Sequence, residues 1–273
     1  MGSVDAAEIG IFGGSGLYSL LDDAHELELT TPYGSPSGPV QLGTIGDRRV
    51  AFLARHGPRH AFPPHRINYR ANLWAFHQLG VTRVLAPCAS GSLQPDIHPG
   101  DFVVCDQLVD RTNDRAQTYF DGPGPMHVSF ADPYCPQLRG VATGAIAAEG
   151  IPVHDRGTVV VIQGPRFSTR AESNWYRQLG WHVVNMTQYP EAYLARELGM
   201  CYVSIALITD YDVGVEGVEG AVPVSQAEVF GFFERNVDLV RGVLARAVRT
   251  VPTERACSCA DATDGAVPPP PTP

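Results

Sequence analysis

Long apolar runs, a surplus of basic residues and a dense set of cysteines are all missing from this sequence of 273 residues. No stretch approaches the roughly 20 consecutive apolar residues that span a bilayer. The first residues, Met1–Glu8, lack the basic and apolar regions of a signal peptide. The net charge of -9, without a long run of Lys or Arg, argues against nucleic acid as the main partner. We therefore expect a cytoplasmic protein that binds neither membranes nor nucleic acid.

Six cysteines are too few for a disulfide scaffold in a chain of this length. The pair Cys257 and Cys259 could be half of a metal site or a strained disulfide, but a pair in a mobile tail is more often inert. The histidines are scattered and no further ligands stand at metal-binding spacing, so no metal is predicted. The cysteines expected to be small buried side chains, in or beside apolar segments, are Cys88, Cys105, Cys135 and Cys201.

Short β-rich runs alternate with helical patterns along most of the chain. Gly157–Ile162 is almost continuous in β-branched residues, which is typical of a strand buried on both faces. Thr169 and Glu172 have the spacing of a capping box at a helix start. The alternation predicts one α/β domain with a parallel or mixed sheet over residues 1–252. Residues 253–273 are small, polar and Pro-rich, and we expect a flexible or loosely docked tail.

Four polar motifs directly follow predicted strands. In α/β sheets, ligands bind at the carboxyl ends of strands, so we expect these motifs to meet in one composite site. Glycines let backbone N–H groups approach an anion, Arg suits bidentate contact with phosphate, and paired carboxylates can share a proton. The motifs are Gly13–Gly16, Arg55-His56, Asn185–Thr187 and Thr209–Asp212.

Each motif alone also has a plain structural interpretation. Gly13–Gly16 could be a tight turn, because it matches neither a Walker A loop nor a dinucleotide-binding fingerprint. Arg55 could form a surface salt bridge. Asp210 and Asp212 could be a solvated acidic turn or part of a metal site, although further ligands are not evident. If the chain stays extended there, both carboxylates point to the same side.

Ten short segments along the chain, taken in order, form a recognisable pattern. They are Ile9–Leu17, Thr31–Ser37, Leu53–Gly57, Asn68–Ala75, Gly91–Leu93, Gly100-Asp101, Asp106–Thr112, Gln163–Glu172, Val184–Thr187 with Pro190-Glu191, and Ile208–Asp212. In this order they resemble the trimeric purine nucleoside phosphorylase family, and most closely its 5′-methylthioadenosine phosphorylase branch. The resemblance covers roughly Glu8 to Val248. It implies a central mixed, partly barrel-like β-sheet flanked by helices.

The resemblance also implies an activity. The enzyme would use inorganic phosphate as a co-substrate, without a cofactor, to split S-methyl-5′-thioadenosine into adenine and 5-(methylthio)ribose 1-phosphate in purine and methionine salvage. A homotrimer would complete each site with a neighbouring subunit. Phosphate would be held by Ser15, Arg55, His56, the Cys88-Ala89 stretch and Thr187. The nucleoside would be bound by His60, Phe167, Ser168, Met186, Asp210, Asp212, Val224 and, from the neighbouring subunit, His127.

The residue types at four places along the chain sharpen this expectation. Relatives often carry a Thr that binds phosphate where this chain has Cys88, and a thiol is a weaker donor, so the backbone is expected to take over there. Asp210 is expected to donate a proton to the purine N7. Because an ionised carboxylate only accepts hydrogen bonds, Asp210 and Asp212 favour a 6-aminopurine over a 6-oxopurine. The Val222–Val224 stretch suits an apolar 5′ substituent.

Three alternatives stay open at this point. One is a phosphorylase of 6-oxopurine nucleosides or methylthioinosine on the same fold. Another is a nucleoside-binding protein without turnover. The third is a hydrolase that uses water, for which Arg55 and His56 would be unexplained.

Overall fold

The structure is a computed structural model that describes residues 6–14, 17, 20–122, 125–214, 223–263 and 266. Within these residues, eleven strands join in one sheet and six α-helices flank it. None of these helices combines the length and apolarity needed to cross a bilayer. The strands are β1 (Ile9–Gly13), β2 (Asp22–Leu27), β3 (Val40–Ile45), β4 (Arg48–Ala54), β5 (Arg83–Ser92), β6 (Phe102–Val104), β7 (Gln107–Arg111), β8 (Val153–His154), β9 (Thr158–Ile162), β10 (Val183–Asn185) and β11 (Cys201–Asp210). The helices are α1 (Tyr69–Gln78), α2 (Pro136–Ala148), α3 (Arg170–Gln178), α4 (Gln188–Glu197), α5 (Gln226–Arg235) and α6 (Val237–Thr250).

Strand β5 is the centre of the sheet because it pairs with three neighbours. It runs parallel to β1 over its first residues and parallel to β11 along almost its whole length. Its last residues, Gly91 and Ser92, pair antiparallel with β10. The sheet therefore divides at β5 into a branch through β10, β9 and β7 and a branch through β11, β6 and β8. This confirms the predicted single α/β domain with a mixed central sheet.

Two buried apolar clusters hold the helices against the sheet. One includes Phe12 and Phe76 and contains residues of α1 and α4. The other includes Phe52 and Leu244 and contains residues of α2 and α6. Strand β11 is buried along its length up to Thr209, as its continuous apolar sequence requires. The clusters therefore fix the strands whose carboxyl ends carry the polar motifs.

The predicted capping box opens α3. The Thr169 hydroxyl accepts a hydrogen bond from the backbone N–H of Glu172 at 3.2 Å, and the Glu172 carboxylate accepts one from the N–H of Thr169 at 2.7 Å. These bonds satisfy N–H groups that the first helical turn leaves free. They also fix the approach of the segment before the helix, which contains Phe167 and Ser168.

Part of the expected loose tail, residues 253–263, packs against the domain. Cys259 is only 2% exposed and belongs to a short 3-10 turn, Ser258–Asp261. One guanidinium nitrogen of the buried Arg83 donates to the carbonyls of Pro252 at 3.0 Å and Thr253 at 2.9 Å. The polar composition hid this packing because its anchor is far away in the sequence. Residues 264–265 and 267–273 lie outside the described residues.

Candidate active site

All four polar motifs contribute to the wall of one cavity. It lies at the carboxyl ends of β1, β4, β9, β10 and β11, beside the last residues of β5. The expected composite site is therefore present, with Gly14 as the described member of the glycine motif. The predicted site residues in this wall are Arg55, His56, His60, Cys88, Ala89, Phe167, Met186, Thr187, Asp210 and Asp212.

The acidic end of the cavity consists of Thr209, Asp210 and Asp212. The Asp210 carboxylate accepts a hydrogen bond from the Thr209 hydroxyl at 2.6 Å and one from the backbone N–H of Asp212 at 2.7 Å. The chain does not stay extended here, because Asp212 has a φ of 51° and turns the chain. Both acidic residues still line the same cavity.

Burial makes both carboxyls of the acidic end costly to ionise. It raises the pKa of Asp210 to about 6, although hydrogen bonds from Thr209 and the Asp212 N–H oppose the shift. Burial also raises the pKa of Asp212, and the hydroxyls of Ser173 and Ser168 partly offset that effect. Oδ2 of Asp212 is buried without a hydrogen-bond partner among the described residues. The acidic end can therefore offer a ligand both a proton and a free acceptor.

The arginine end of the cavity consists of Arg55, His56, Thr187 and Glu191. The Arg55 guanidinium donates to both Glu191 oxygens, at 2.7 and 2.9 Å, and to the carbonyl of Pro87 at 3.1 Å. The two side chains of this ion pair are 1% and 0% exposed. Burial alone would lower the pKa of Arg55, but Glu191 raises it above its ordinary value. Arg55 is therefore a fixed donor whose charge is already balanced.

Two stacked imidazoles continue the wall from the arginine end. The rings of His56 and His60 are 4.0 Å apart and nearly parallel. His56 Nδ1 lies 2.9 Å from the carbonyl oxygen of Phe62, and that bond requires the proton on Nδ1. Burial, followed by the neighbouring His60, lowers the pKa of His56 to about 3. His56 is therefore neutral at physiological pH, with Nε2 as its acceptor.

The loop that brings His60 to the cavity has an unusual backbone. Arg59 and His60 both have positive φ, at 53° and 59°. Two successive non-glycine residues in the left-handed region cost free energy, and such conformations cluster at functional sites. The His60 ring lies 5.1 Å from the ring of Phe230 in α5, so this loop and α5 meet across the cavity.

Amide groups surround the thiol of Cys88. Nδ2 of Asn185 and Nε2 of Gln188 lie 3.5 and 3.4 Å from its sulfur atom. Oδ1 of Asn185 is buried without a partner in the described part of the chain. Thr187, which precedes α4, makes no side-chain capping bond to that helix. Its hydroxyl is not needed to cap the helix and can serve a ligand.

Residues 8–249 match the phosphorylase superfamily. The chain belongs to that superfamily. It is 54% identical over 269 residues to purine nucleoside phosphorylase of Streptomyces coelicolor, and the match covers 95% of each chain. It is 55% identical over 251 residues to S-methyl-5′-thioadenosine phosphorylase of Mycolicibacterium smegmatis, covering 92% of this chain and 93% of that one. A variant of adenosine/methylthioadenosine phosphorylase from Schistosoma mansoni, solved with methylthioadenosine, superposes with a TM-score of 0.84 at 36% identity, over 91% of this chain and 93% of the other.

Four predicted site residues of this phosphorylase are not in the described cavity wall. Ser168 is buried and acts on the pKa of Asp212 instead. Val224 donates its backbone N–H to the carbonyl of Asp212 at 2.7 Å. His127 is exposed on the surface. Ser15 lies outside the described residues.

Sequence reasoning missed four residues that complete the site, among them Glu191, which fixes the guanidinium of Arg55. Asn185 belonged to a predicted polar motif but had no predicted role, and its Oδ1 adds a buried acceptor without a partner in the described residues. The first turns of α5 add Gln226, Val229 and Phe230 to the wall. An amphipathic helix start carries no signal for a ligand, since its apolar residues are expected in the core. Glu191 lay inside a family motif, but its partner is 136 residues away in the sequence.

Proposed function

We propose that this phosphorylase, a pentosyltransferase, converts S-methyl-5′-thioadenosine and phosphate into adenine and 5-(methylthio)ribose 1-phosphate. The reaction would serve purine and methionine salvage. Relatives named S-methyl-5′-thioadenosine phosphorylase and a structural neighbour solved with methylthioadenosine support the proposal. The observation that carries it is the acidic end, where the buried carboxyls of Asp210 and Asp212 have raised pKa values and share a cavity with Arg55.

The acidic end matches a leaving 6-aminopurine. Breaking the N-glycosidic bond leaves electron density on the base, and Asp210 donates a proton to N7 as a general acid. Since its pKa is about 6, a share of the molecules carries this proton near neutral pH. The free Oδ2 of Asp212 accepts an N–H from the 6-amino group. A 6-oxo oxygen has no such hydrogen to donate.

The arginine end holds the attacking phosphate below the sugar. A guanidinium has five N–H donors, and Arg55 gives three of them to Glu191 and Pro87. The remaining N–H groups hold phosphate in a fixed place, because the ion pair with Glu191 keeps the guanidinium from rotating freely. Neutral His56 accepts a hydrogen bond from a protonated phosphate oxygen at Nε2. The other phosphate ligands in this proposal are Ser15, Cys88, Ala89 and Thr187.

The rest of the cavity suits the sugar and an apolar 5′ substituent. Met186 covers the ribose, and Phe167 flanks the base with Ser168 behind it. Val229 and Phe230 of α5 supply apolar surface beside His60. Val224, whose backbone N–H donates to the carbonyl of Asp212, belongs to the same 5′ pocket in this proposal, and Val222 lies outside the described residues.

The assembly is part of the proposal. In a homotrimer, His127 of one subunit would close the 5′ end of the next, which agrees with its exposure in the single chain. The enzyme would act in the cytoplasm, without a metal or organic cofactor in the reaction, and with phosphate as its co-substrate.

Phosphorolysis of 6-oxopurine nucleosides is the second candidate. The 54% identity to a purine nucleoside phosphorylase favours it, and methylthioinosine would be an intermediate case. Asp212→Asn tests the choice, because an amide at this position can donate to a 6-oxo oxygen. We expect the ratio of rates on methylthioadenosine and methylthioinosine to fall roughly tenfold or more, as for a lost hydrogen bond that leaves a buried partner unsatisfied. An unchanged ratio would remove Asp212 from base recognition.

Product analysis with and without phosphate tests the reaction itself. Purified protein is incubated with methylthioadenosine, and adenine and the sugar product are quantified. We expect adenine only when phosphate is present, with one 5-(methylthio)ribose 1-phosphate per adenine. Adenine without phosphate would indicate a hydrolase. Binding of the nucleoside with no release of adenine would indicate a protein without turnover.

A further inference from the structure

Four of the six cysteines meet at the end of β11 that lies farthest from Asp210. Cys201 is the first residue of β11, and Cys135 immediately precedes α2. Cys257 and Cys259 come from the packed C-terminal segment. The four sulfur atoms all lie within 4.8 Å of one another, and all four are free thiols.

The cluster has the scale of a tetrahedral thiolate site. Zn–S bonds of about 2.3 Å place the sulfur atoms of such a site roughly 3.8 Å apart. The sulfurs of Cys201 and Cys257 are 3.4 Å apart, and no pair exceeds 4.8 Å. We propose that Cys135, Cys201, Cys257 and Cys259 bind one Zn²⁺ ion in a closed structural site. Four sulfur ligands select a thiophilic ion over Mg²⁺ or Ca²⁺.

The surroundings favour the thiolate form that a metal needs. Cys135 stands at the N-terminus of α2, where the partial positive charge of the helix end stabilises an anion. A guanidinium nitrogen of Arg196 lies 3.9 Å from the Cys259 sulfur and offsets part of the negative charge of a zinc–thiolate centre.

Burial is consistent with a closed site that an ion can still enter. Cys135, Cys201 and Cys259 are buried, whereas Cys257 is half-buried and opens the cluster to solvent. Apolar packing explains a single buried thiol. It does not explain why three separate parts of the chain bring four thiols together.

The site would fasten the C-terminal segment to the domain. Apart from Cys257 and Cys259, which pack against the apolar core, this segment is held by polar contacts. Gln137 donates to the carbonyl of Glu254 at 3.1 Å, and Arg255 donates to the carbonyl of Gly199 at 2.7 Å. An ion that binds only the folded chain adds stability by mass action. A ten-residue strand at ~3.3 Å per residue separates the cluster from Asp210 by roughly 30 Å, so the ion acts on stability and not on the substrate.

Cobalt binding by the reduced full-length protein tests the proposal. We expect one Co²⁺ per chain, with the sulfur-to-metal and visible bands of tetrahedral thiolate cobalt, and displacement by Zn²⁺. The double variant Cys257→Ser/Cys259→Ser should lose both the ion and the bands. Cys105→Ala is the matched control, a buried cysteine outside the cluster, and should keep them. A reduced wild type that binds no Co²⁺, or a double variant that still binds it, overturns the proposal.

Thiol alkylation of the wild type gives a test that needs no variant. We expect Zn²⁺ to protect four of the six cysteines, identified by mass spectrometry as those of the cluster, until a chelator is added. Equal labelling with and without Zn²⁺ overturns the assignment. A disulfide among these cysteines in protein purified without oxygen also overturns it, because an oxidised pair cannot supply two thiolate ligands.

Discussion

The carboxylates at the two ends of the cavity differ in whether a positive charge balances them. At the arginine end, Glu191 receives two hydrogen bonds from Arg55 and one from the Tyr202 hydroxyl. At the acidic end, Asp210 and Asp212 form no ion pair within the described residues, and burial raises the pKa of both. The carboxylate of Glu191 at the arginine end is therefore satisfied before any ligand arrives. At the acidic end, Oδ2 of Asp212 has no partner among the described residues, and a base with hydrogen-bond donors would supply one.

In the proposed reaction, the arginine end positions phosphate and the acidic end transfers a proton. A fixed, neutralised guanidinium would place phosphate without holding it so tightly that the product cannot leave. The carboxyl of Asp210, whose pKa burial raises, would hold a proton ready for the leaving group, at a cost in stability. The same change, from carboxylate to amide, should consequently have opposite effects on stability at the two ends.

The largest expected effect is on turnover at the acidic end. Asp210→Asn removes the proton donor, and we expect kcat on methylthioadenosine to fall by roughly 10²–10⁴-fold, the usual contribution of a general acid. Steady-state assays at saturating phosphate measure this. Asp155→Asn, at an exposed carboxylate 69% accessible, is the matched control and should leave kcat unchanged. Similar kcat values for the two variants would exclude Asp210 as the proton donor.

At the arginine end the same kind of change should affect folding most. Glu191→Gln leaves the buried guanidinium of Arg55 without its counter-charge, and breaking such a pair costs about 3–5 kcal/mol of unfolding free energy. Urea denaturation measures the loss. The control is Glu149→Gln, which breaks an ion pair with Arg246 of the same 2.7 Å length but with side chains 30% and 45% exposed. We expect that control to cost under about 1 kcal/mol. Equal costs would contradict the account of Arg55 as a structural cation.

The sequence predicts the acidic end better than the arginine end. Asp210 and Asp212 are neighbours in the chain, and their position after a buried strand indicates their role. The left-handed turn at Asp212 was not foreseen, because non-glycine residues rarely adopt it. The pairing of Arg55 with Glu191 spans 136 residues, and only the folded sheet brings them together. The cysteine cluster was missed for the same reason, since half of its members come from a segment expected to be loose.

The pH dependence of stability sharpens the comparison at the acidic end. The pKa of Asp210 is about 6 in the folded protein against an ordinary value of 3.8, so the native state binds more protons between these values. Its stability should therefore fall as pH rises from 3.8 to 6 and stay lower above that range. We expect Asp210→Asn to be more stable than the wild type at pH 7.5 by up to about 3 kcal/mol, and equally stable near pH 4. Denaturation curves at both pH values decide this, and a variant less stable than the wild type at pH 7.5 would contradict it.

The smallest expected effect concerns the part of the cavity wall that α5 forms, where the lining residues are uncharged. Val229→Thr exchanges a methyl for a hydroxyl next to the proposed 5′ substituent. A buried hydroxyl facing a methylthio group lacks a partner, whereas a 5′-hydroxyl supplies one, so we expect the methylthioadenosine-to-adenosine ratio of kcat/KM to fall roughly tenfold (~1.4 kcal/mol). Val237→Thr, at the start of α6 and outside the described cavity wall, should leave the ratio unchanged. If both variants keep the wild-type ratio, α5 does not form the 5′ pocket, and the residues that set this preference lie elsewhere.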